Sequence, residues 1–385
     1  MSVTSPLGFT AAGVECGLKD SGGRDFAVVV NNGPHYVAAA ATTANRVYAA
    51  PVQWTREVVA NRTLKAVALN SGGANACTGD AGYADTVATA HLVAAELGVI
   101  PADVAICSTG LIGELLDMDA IRAGVSSACS KLSDDGGEEA ALAIMTTDTR
   151  PKQAVYSGDY SVGGMAKGAG MLAPQLATML VVITTDAVLN EDEADAALKV
   201  AMGQTLDRID SDGCMSTNDT VILLASGASG VHPSPEDFTE HLIEVAQSLG
   251  EQLIGDAEGA SHDIAVNVHG ASSQNAGLAV ARAVSRSNLL KCAVFGDDPN
   301  WGRVLSSLGT VPESVAPFDA GSVDVAINGV TVCRNGGVGD PRELVDMSPR
   351  QVNIDIDLKA GAESVRVLTN DLTYGYVEEN SAYSS

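Results

Sequence analysis

Five short runs of apolar, mostly β-branched residues constrain the fold of this chain more than any other feature of its sequence. They are FAVVV at 26–30, AVALN at 66–70, TMLVVITT at 178–185, DIAVNV at 263–268 and VNIDIDL at 352–358. Val, Ile and Thr favour strands, and each run has the length of a strand. The last run alternates apolar and polar residues, which predicts a strand with one buried face. Strands are therefore expected along most of the chain.

Helical patterns lie between these runs. The clearest begins at the N-cap Ser234, continues through Pro235 and early acidic residues, and is expected to end at Gly250. Other predicted helices are Tyr83 to Leu97, a helix from Glu191 after the cap Asn190, and Gln274 to Ser285. The acidic stretch SDDGGEE at 133–139 is predicted to be an exposed loop.

The order of these elements indicates the fold class. Helices and strands mix irregularly, and no repeat with a period of about 20 to 50 residues is visible. This favours an α/β or α+β fold of layered sheets and helices over a repeat protein. A chain of 385 residues is also too long for one ordinary core, so two interleaved lobes are expected.

The charge of the chain limits its partners. It carries 22 Lys and Arg against 48 Asp and Glu, which gives a net charge of −26. Such a surface repels phosphate backbones and anionic lipid headgroups, so neither nucleic acid nor a membrane is expected as a partner. The acidity itself is typical of a solvated surface and does not identify a substrate.

Several kinds of site and segment are not indicated by the sequence. The seven cysteines are widely spaced without a CxxC pair, and the six histidines lack the spacing HxxxH or HExxH, so no metal site is expected. The start MSVTSPLGFTAAG has no basic region followed by an apolar one, and no apolar run approaches about 18 residues. A cytoplasmic location is predicted.

The segment KGAGMLAPQLATMLVVITTD at 167–186 places a turn rich in Gly and Pro before a strand that Thr178 opens. Such a turn can hold a peptide bond off its relaxed geometry, so that the Thr178 hydroxyl attacks the carbonyl of Ala177. Hydrolysis of the resulting ester leaves Thr178 as a new N-terminus, whose α-amino group, with a pKa of about 8, can serve as base for its own hydroxyl. Ala-Thr is a common dipeptide, however, and the residues alone favour an ordinary strand.

Other motifs follow one another along the chain in a fixed order. Around Thr178 the relevant residues are Lys167, Gly168, Gly170, Met171, Pro174, Ala177, Thr178, Met179 and Leu180. The further motifs are NSGGANACTG at 70–79, STGLIGELL at 108–116, MTTDT at 145–149, STNDT at 216–220, GDDPNWGR at 296–303 and the terminal ENSAYSS. Over essentially its whole length the chain resembles the ornithine acetyltransferase (glutamate N-acetyltransferase) family, and the motif around Thr178 resembles the family's self-processing signature.

The resemblance implies the self-cleaving fold that this family shares with certain aminopeptidases. It implies cleavage between Ala177 and Thr178, so that residues 1–177 become an α chain and residues 178–385 a β chain with Thr178 as nucleophile. The family's oxyanion hole corresponds to Thr109 and Gly110, where glycine permits a close approach of the backbone.

The resemblance also implies a set of substrate-binding residues. They are Thr146, Lys167, Thr178, Glu258, Asn380 and Ser385. Thr147 is an adjacent alternative to Thr146. Lys167 suits a substrate carboxylate, and Glu258 suits the ornithine amino group or a proton transfer. Ser385 stands where many relatives carry Thr, and Gln175-Leu176 replaces the commoner Asn-Met; both departures are conservative.

The activity implied by the resemblance is a ping-pong acetyl transfer in the cyclic pathway of arginine biosynthesis. Thr178 takes the acetyl group from N2-acetyl-L-ornithine, releases ornithine, and passes the acetyl group to L-glutamate to give acetylglutamate. This exchange needs no cofactor, and acetyl-CoA is left open as a second acetyl donor. The two kinds of fragment are expected to associate as a heterotetramer of two α and two β chains.

Two alternatives stay open from the sequence. A related self-cleaving aminopeptidase or amidase would pass the acyl group to water, and a non-catalytic small-molecule binding protein would stay intact. The loop NSGGANACTG lacks both the GK[ST] ending of a P-loop and the pattern GxGxxG, so it is interpreted as a tight active-site or packing loop. STNDT and GDDPNWGR are interpreted as polar turns and are assigned no catalytic role.

Overall fold

The computed structural model describes residues 2–172 and 179–382. These residues form two compact units. The first contains the chain up to Asp207 together with Cys214–Asp256, and the second contains Arg208–Gly213 and the chain from Ala257 onward. Because the chain enters the second unit, returns to the first and enters the second again, the predicted interleaving of two lobes is confirmed.

The first unit contains two sheets. Their strands are β1 (Phe9–Val14), β2 (Phe26–Asn31), β3 (Val37–Thr42), β4 (Ala66–Ser71), β5 (Val104–Thr109), β6 (Lys152–Ser157), β7 (Ser161–Lys167), β8 (Leu180–Thr185) and β9 (Thr220–Ala225). One sheet has the order β1-β2-β4-β5, and the other has the order β3-β9-β8-β7-β6. Pairs β4–β5 and β8–β9 are parallel, and the other neighbours are antiparallel.

Helices cover these sheets. They are α1 (Ala50–Val59), α2 (Gly79–Leu97), α3 (Met118–Ser130), α4 (Gly137–Ala143), α5 (Glu191–Gln204) and α6 (Pro235–Ile254), with a short 3₁₀ turn at Pro101–Asp103. In β2, Val28 packs towards α2 and α3, whereas Val29 packs towards the other sheet. Helices α5 and α6 pack on the second sheet. The unit therefore has four layers, helix–sheet–sheet–helix, and strands buried on both faces explain the unbroken apolar runs.

The second unit is built around one six-stranded sheet. Its strands are β10 (Asp263–Ala271), β11 (Asp324–Ile327), β12 (Val330–Arg334), β13 (Gly337–Val338), β14 (Gln351–Asp357) and β15 (Glu363–Asn370), in the order β13-β12-β11-β14-β10-β15. Its helices are α7 (Gln274–Ser285), α8 (Asn288–Phe295), α9 (Trp301–Leu308) and α10 (Tyr374–Ala382). Helices α7 to α9 share one apolar core with the buried face of β14, formed by Val352, Ile354 and Ile356.

The predicted α/β class and all five predicted strands are confirmed, the strand at 178–185 from Leu180 onward. Helix α6 begins as predicted, where the Ser234 hydroxyl accepts a hydrogen bond from the Asp237 N–H at 3.1 Å. The predicted end at Gly250 is wrong. The helix continues to Ile254 because Leu253 and Ile254 are buried, so the apolar face extends one turn further.

The predicted exposed loop at 133–139 is also partly wrong. Gly137 begins α4, and both Gly136 and Gly137 are buried. A Cβ atom on Gly136 would lie only 1.8 Å from the carbonyl oxygen of Ala11. Gly136 therefore permits a close packing contact of the start of α4 with β1, and Gly137 a close contact with Ser2, so these glycines do not mark a flexible turn.

The predicted boundary between residues 177 and 178 does not separate the compact units, since β7 and β8 on its two sides pair within one sheet. It stays a prediction. Within the described ranges, no helix combines the length and apolar character needed to cross a membrane.

Candidate active site

The predicted oxyanion-hole residues are Thr109, which ends β5, and Gly110, which begins the loop after it. Strands β4 and β5 are parallel and place Ser71 beside Thr109 at their carboxyl ends. The Gly72 N–H donates to the Thr109 carbonyl at 2.9 Å. This hydrogen bond connects the NSGGANACTG loop to the segment Ser108–Thr109–Gly110, called the STG loop below. Gly110 has φ +132°, and a Cβ atom there would lie 2.5 Å from the Gly73 nitrogen. Only glycine fits this contact without strain, as predicted from close backbone approach.

Lys167 ends β7 and lies against this loop. It is 1% exposed, and its Nζ donates a hydrogen bond to the Thr109 Oγ1 at 3.3 Å. In the second sheet, the register places Lys167 beside Leu180 of β8, and Leu180 beside Thr220 of β9. The structure thus brings two predicted site residues, Lys167 and Thr109, into contact at the edge of the sheet where β8 begins.

Asp148 connects Thr146 to the residue after Lys167. Its carboxylate accepts hydrogen bonds from the Thr146 N–H at 3.0 Å and the Gly168 N–H at 2.7 Å. The same carboxylate accepts from the Lys152 Nζ at 2.5 Å, and neither side chain of this ion pair is exposed. Asp148 was not among the predicted site residues, although it lies inside the MTTDT motif.

The charge state of Asp148 follows from its neighbours. Burial would raise the pKa of this carboxyl, but the ammonium groups of Lys167 and Lys152 and the Gly168 N–H together lower the pKa below its ordinary value. The group is therefore a carboxylate at neutral pH. It fixes the backbone of both Thr146 and Gly168, while the Thr146 residue itself is exposed.

A second missed group is the STNDT motif. Asn218 is buried, and its Nδ2 donates to the carbonyl oxygens of Ala74 at 2.6 Å and Ser108 at 2.9 Å. Asp219 is fully buried, and its Oδ1 accepts the Met179 N–H at 3.0 Å. Local turn chemistry was the predicted role for this motif, and its burial against two other loops is what the sequence alone did not indicate.

The pKa of Asp219 is strongly perturbed. Burial raises it to about 8, against the opposing effects of the Met179 N–H and the Lys167 ammonium. The side chain is thus largely protonated at neutral pH. Met179 is also held through its carbonyl, which accepts the Thr220 N–H at 3.1 Å.

Glu258 and Asn380 form a pair within the second unit. The Asn380 Nδ2 donates to the Glu258 Oε2 at 2.9 Å. Glu258 is 7% exposed, and the loop that carries it contacts the start of α10 so closely that a Cβ atom on Gly259 would lie 2.2 Å from the Tyr376 nitrogen. Two of the predicted substrate-binding residues, Glu258 and Asn380 of the terminal ENSAYSS segment, are thus in direct contact.

Three predicted residues lie outside the described part of the chain. They are Ala177, Thr178 and Ser385. Their roles, like those of Thr109, Gly110, Thr146, Lys167, Glu258 and Asn380, stay predictions. No group of three or more His, Cys, Asp or Glu residues suited to a metal ion occurs among residues 2–172 and 179–382.

Comparisons with known proteins indicate the family of this chain. The model of the ArgJ family matches residues 10–385. The arginine biosynthesis bifunctional protein ArgJ of Bifidobacterium longum strain NCC 2705 is 57% identical over 391 residues and is covered completely, as is this chain. The arginine biosynthesis bifunctional protein ArgJ of Streptomyces avermitilis is 58% identical over 386 residues, again with 100% of both chains covered.

A solved structure is also similar in sequence. A chain of ornithine acetyltransferase from Mycobacterium tuberculosis, complexed with ornithine, is 53% identical with a TM-score of 0.45, and the match covers 46% of this chain and 96% of that one. The family match and the identities over full length confirm what the ordered motifs predicted: this chain belongs to the ArgJ family of arginine biosynthesis.

Proposed function

We propose that this acetyltransferase of arginine biosynthesis moves the acetyl group of N2-acetyl-L-ornithine to L-glutamate through an acetyl ester on Thr178. The nucleophile is generated when the chain cleaves itself between Ala177 and Thr178. The observation that carries the proposal is the contact of the buried Lys167 Nζ with the Thr109 Oγ1 at 3.3 Å. It supports a positively charged oxyanion site on the sheet edge where β8 begins, two residues after Thr178.

The oxyanion chemistry follows from the direction of that hydrogen bond. Because the Thr109 oxygen accepts from an ammonium group, its own proton is free to be donated elsewhere, and the nearby charge makes it a stronger donor. A tetrahedral intermediate requires such fixed donors, and loss of one costs about 3 to 4 kcal/mol of transition-state stabilisation. Thr109 and the backbone of Gly110 supply the donors in this proposal.

The reaction proceeds in two half-reactions. The Thr178 α-amine removes the proton of its own hydroxyl, the oxygen attacks the acetyl carbonyl, and the C–N bond to ornithine breaks as ornithine takes up a proton. Free ornithine leaves. The amine of glutamate then attacks the acetyl ester, the ester C–O bond breaks, and the proton returns to Thr178. Exclusion of water during the exchange prevents hydrolysis of the ester.

The other predicted residues select the substrates. Glu258, oriented by the Asn380 amide at 2.9 Å, accepts the ornithine ammonium group in this proposal. Lys167 and Thr146 bind carboxylate, with Ser385 as the remaining contact. Asp148 balances the charge of Lys167 and fixes the backbone beside both of them.

Three further features belong to the proposal. Acetyl-CoA serves as a second acetyl donor, which fits the word bifunctional in the names of the full-length relatives. The two fragments stay associated as a heterotetramer of two α and two β chains. The enzyme works in the cytoplasm without a bound cofactor.

Intact-mass measurement and a transfer assay test the proposal together. Purified protein is expected as two fragments, residues 1–177 and 178–385, and glutamate acetylation is measured separately with acetylornithine and with acetyl-CoA. Thr178→Ala is expected to abolish both cleavage and transfer, whereas Thr178→Ser retains part of each. An uncleaved chain that transfers acetyl groups would refute the mechanism. Release of acetate without acetylglutamate would instead indicate an amidase.

A further inference from the structure

The STNDT motif has no chemical role in the proposed reaction, yet it makes an unusual set of buried contacts. Asn218 donates from one amide nitrogen to two carbonyl oxygens, those of Ala74 and Ser108. Ser108 directly precedes the predicted oxyanion-hole residue Thr109. The Asn218 side chain therefore holds the STG loop and the NSGGANACTG loop at a fixed distance from the start of β9.

The next residue, Asp219, contacts the backbone directly after the predicted nucleophile Thr178. Asp219 accepts the N–H of Met179 at 3.0 Å, and the Thr220 N–H donates to the carbonyl of Met179 at 3.1 Å. Met179 directly follows the predicted nucleophile Thr178 and is fully buried. Both backbone polar groups of Met179 are thus held by two successive residues of the same motif.

We infer that Asn218 and Asp219 are positioning residues, which hold the oxyanion-hole loop and the residue after the nucleophile in one rigid frame. The inference rests on the proposed function. One short segment contacts both sides, so the distance between the donors and the nucleophile does not depend on separate, flexible loops. This matters because a displacement of about 1 Å between reacting groups can cost about 100-fold in rate.

Asp186 offers a matched control at the opposite end of β8 from Met179. It follows the carboxyl end of β8, whereas Met179 precedes the amino end. Asp186 is 3% exposed and accepts two backbone N–H groups, those of Leu7 at 2.9 Å and Ser161 at 2.7 Å. Replacing Asp186 therefore removes a buried carboxyl group that, like Asp219, accepts backbone hydrogen bonds, but that lies away from the predicted chemistry.

The test compares Asp219→Ala, Asp219→Asn and Asp186→Ala. Cleavage is followed as the appearance of fragments after a pulse of cell-free synthesis, and the thermal midpoint reports folding. Asp219→Ala is expected to slow cleavage about 100-fold. Asp219→Asn keeps an oxygen acceptor for the Met179 N–H and should cleave at least about ten times faster than Asp219→Ala. Asp186→Ala should cleave at the wild-type rate despite a lowered thermal midpoint.

Asn218→Ala tests the positioning role independently, and it replaces Asp219→Ala in the test if that variant does not fold. It is expected to lower kcat of the cleaved enzyme about 10- to 100-fold with little change in KM for acetylornithine, because only transition-state contacts are displaced. Wild-type protein that stays uncleaved would refute the proposed function. Cleaved wild-type protein, together with Asp219→Ala and Asn218→Ala variants as fast as Asp186→Ala, would overturn only the positioning role.

Discussion

Replacing Asp219 with asparagine should change how the stability of the protein depends on pH. The pKa of this carboxyl is raised to about 8 in the folded protein, against an ordinary value of 3.8, so the folded state binds a proton that the unfolded chain releases between these values. Stability therefore falls as pH rises across this window, by up to about 1.4 kcal/mol per pH unit, and levels off above the folded pKa. The introduced amide would carry no such proton, and its side chain has nearly the same shape as a protonated aspartate.

The size of the effect can be stated as a difference between two curves. The difference in free energy of unfolding between Asp219→Asn and wild type is expected to change in favour of the variant by up to about 4 kcal/mol between pH 5 and pH 8. Urea unfolding at each pH unit measures this, with Asp186→Asn as the control for loss of a buried carboxyl. A wild-type-minus-variant difference that stays constant over this range would refute the reasoning, because it would show that Asp219 binds no additional proton in the folded state.

Two further substitutions address the predicted site itself. Gly110→Ala places a Cβ atom 2.5 Å from the Gly73 nitrogen at a φ of +132°. It should destabilise the protein by about 1 to 3 kcal/mol, seen as a lowered thermal midpoint, and Gly203→Ala, with open space around its Cβ position, is the control. Asn380→Ala removes the hydrogen bond to Glu258. It should raise KM for acetylornithine about tenfold while cleavage proceeds normally, and an unchanged KM would contradict the role of Asn380.

Local chemistry explains why parts of the fold were predictable from sequence. Ser234 and Asn190 are followed by acidic residues at cap spacing, and both were found as N-caps of the predicted helices. Gly250 and Gly136 were misinterpreted because their surroundings are set by distant residues. Gly250 lies on a helix face that remains buried for another turn, and Gly136 lies against the backbone of Ala11, which is far away in sequence.

The candidate site likewise contains features that local sequence cannot indicate. Lys167 and Thr109 are 58 residues apart and meet only because two sheets pack together, so no local pattern predicts their contact. Their selection came from the resemblance to a family. Asn218 and Asp219 belong to a motif that was recognised but interpreted as a turn. Polar turn residues look alike in sequence whether they face solvent or other loops, and burial is what separates the two cases.

The energetic cost of these buried groups is itself an argument for their role. Lys167, Asp148 and Asp219 lie in or just beyond the strands at one sheet edge, where burial of charge costs several kcal/mol unless it is well paired. The Lys152 and Lys167 ammonium groups offset this for Asp148, whereas Asp219 is accommodated by taking up a proton. Apolar residues there would stabilise the sheets at lower cost. Lys167→Met is therefore expected to preserve folding, because Asp148 keeps its ion pair with Lys152, while abolishing transfer, because the ammonium beside Thr109 would be lost.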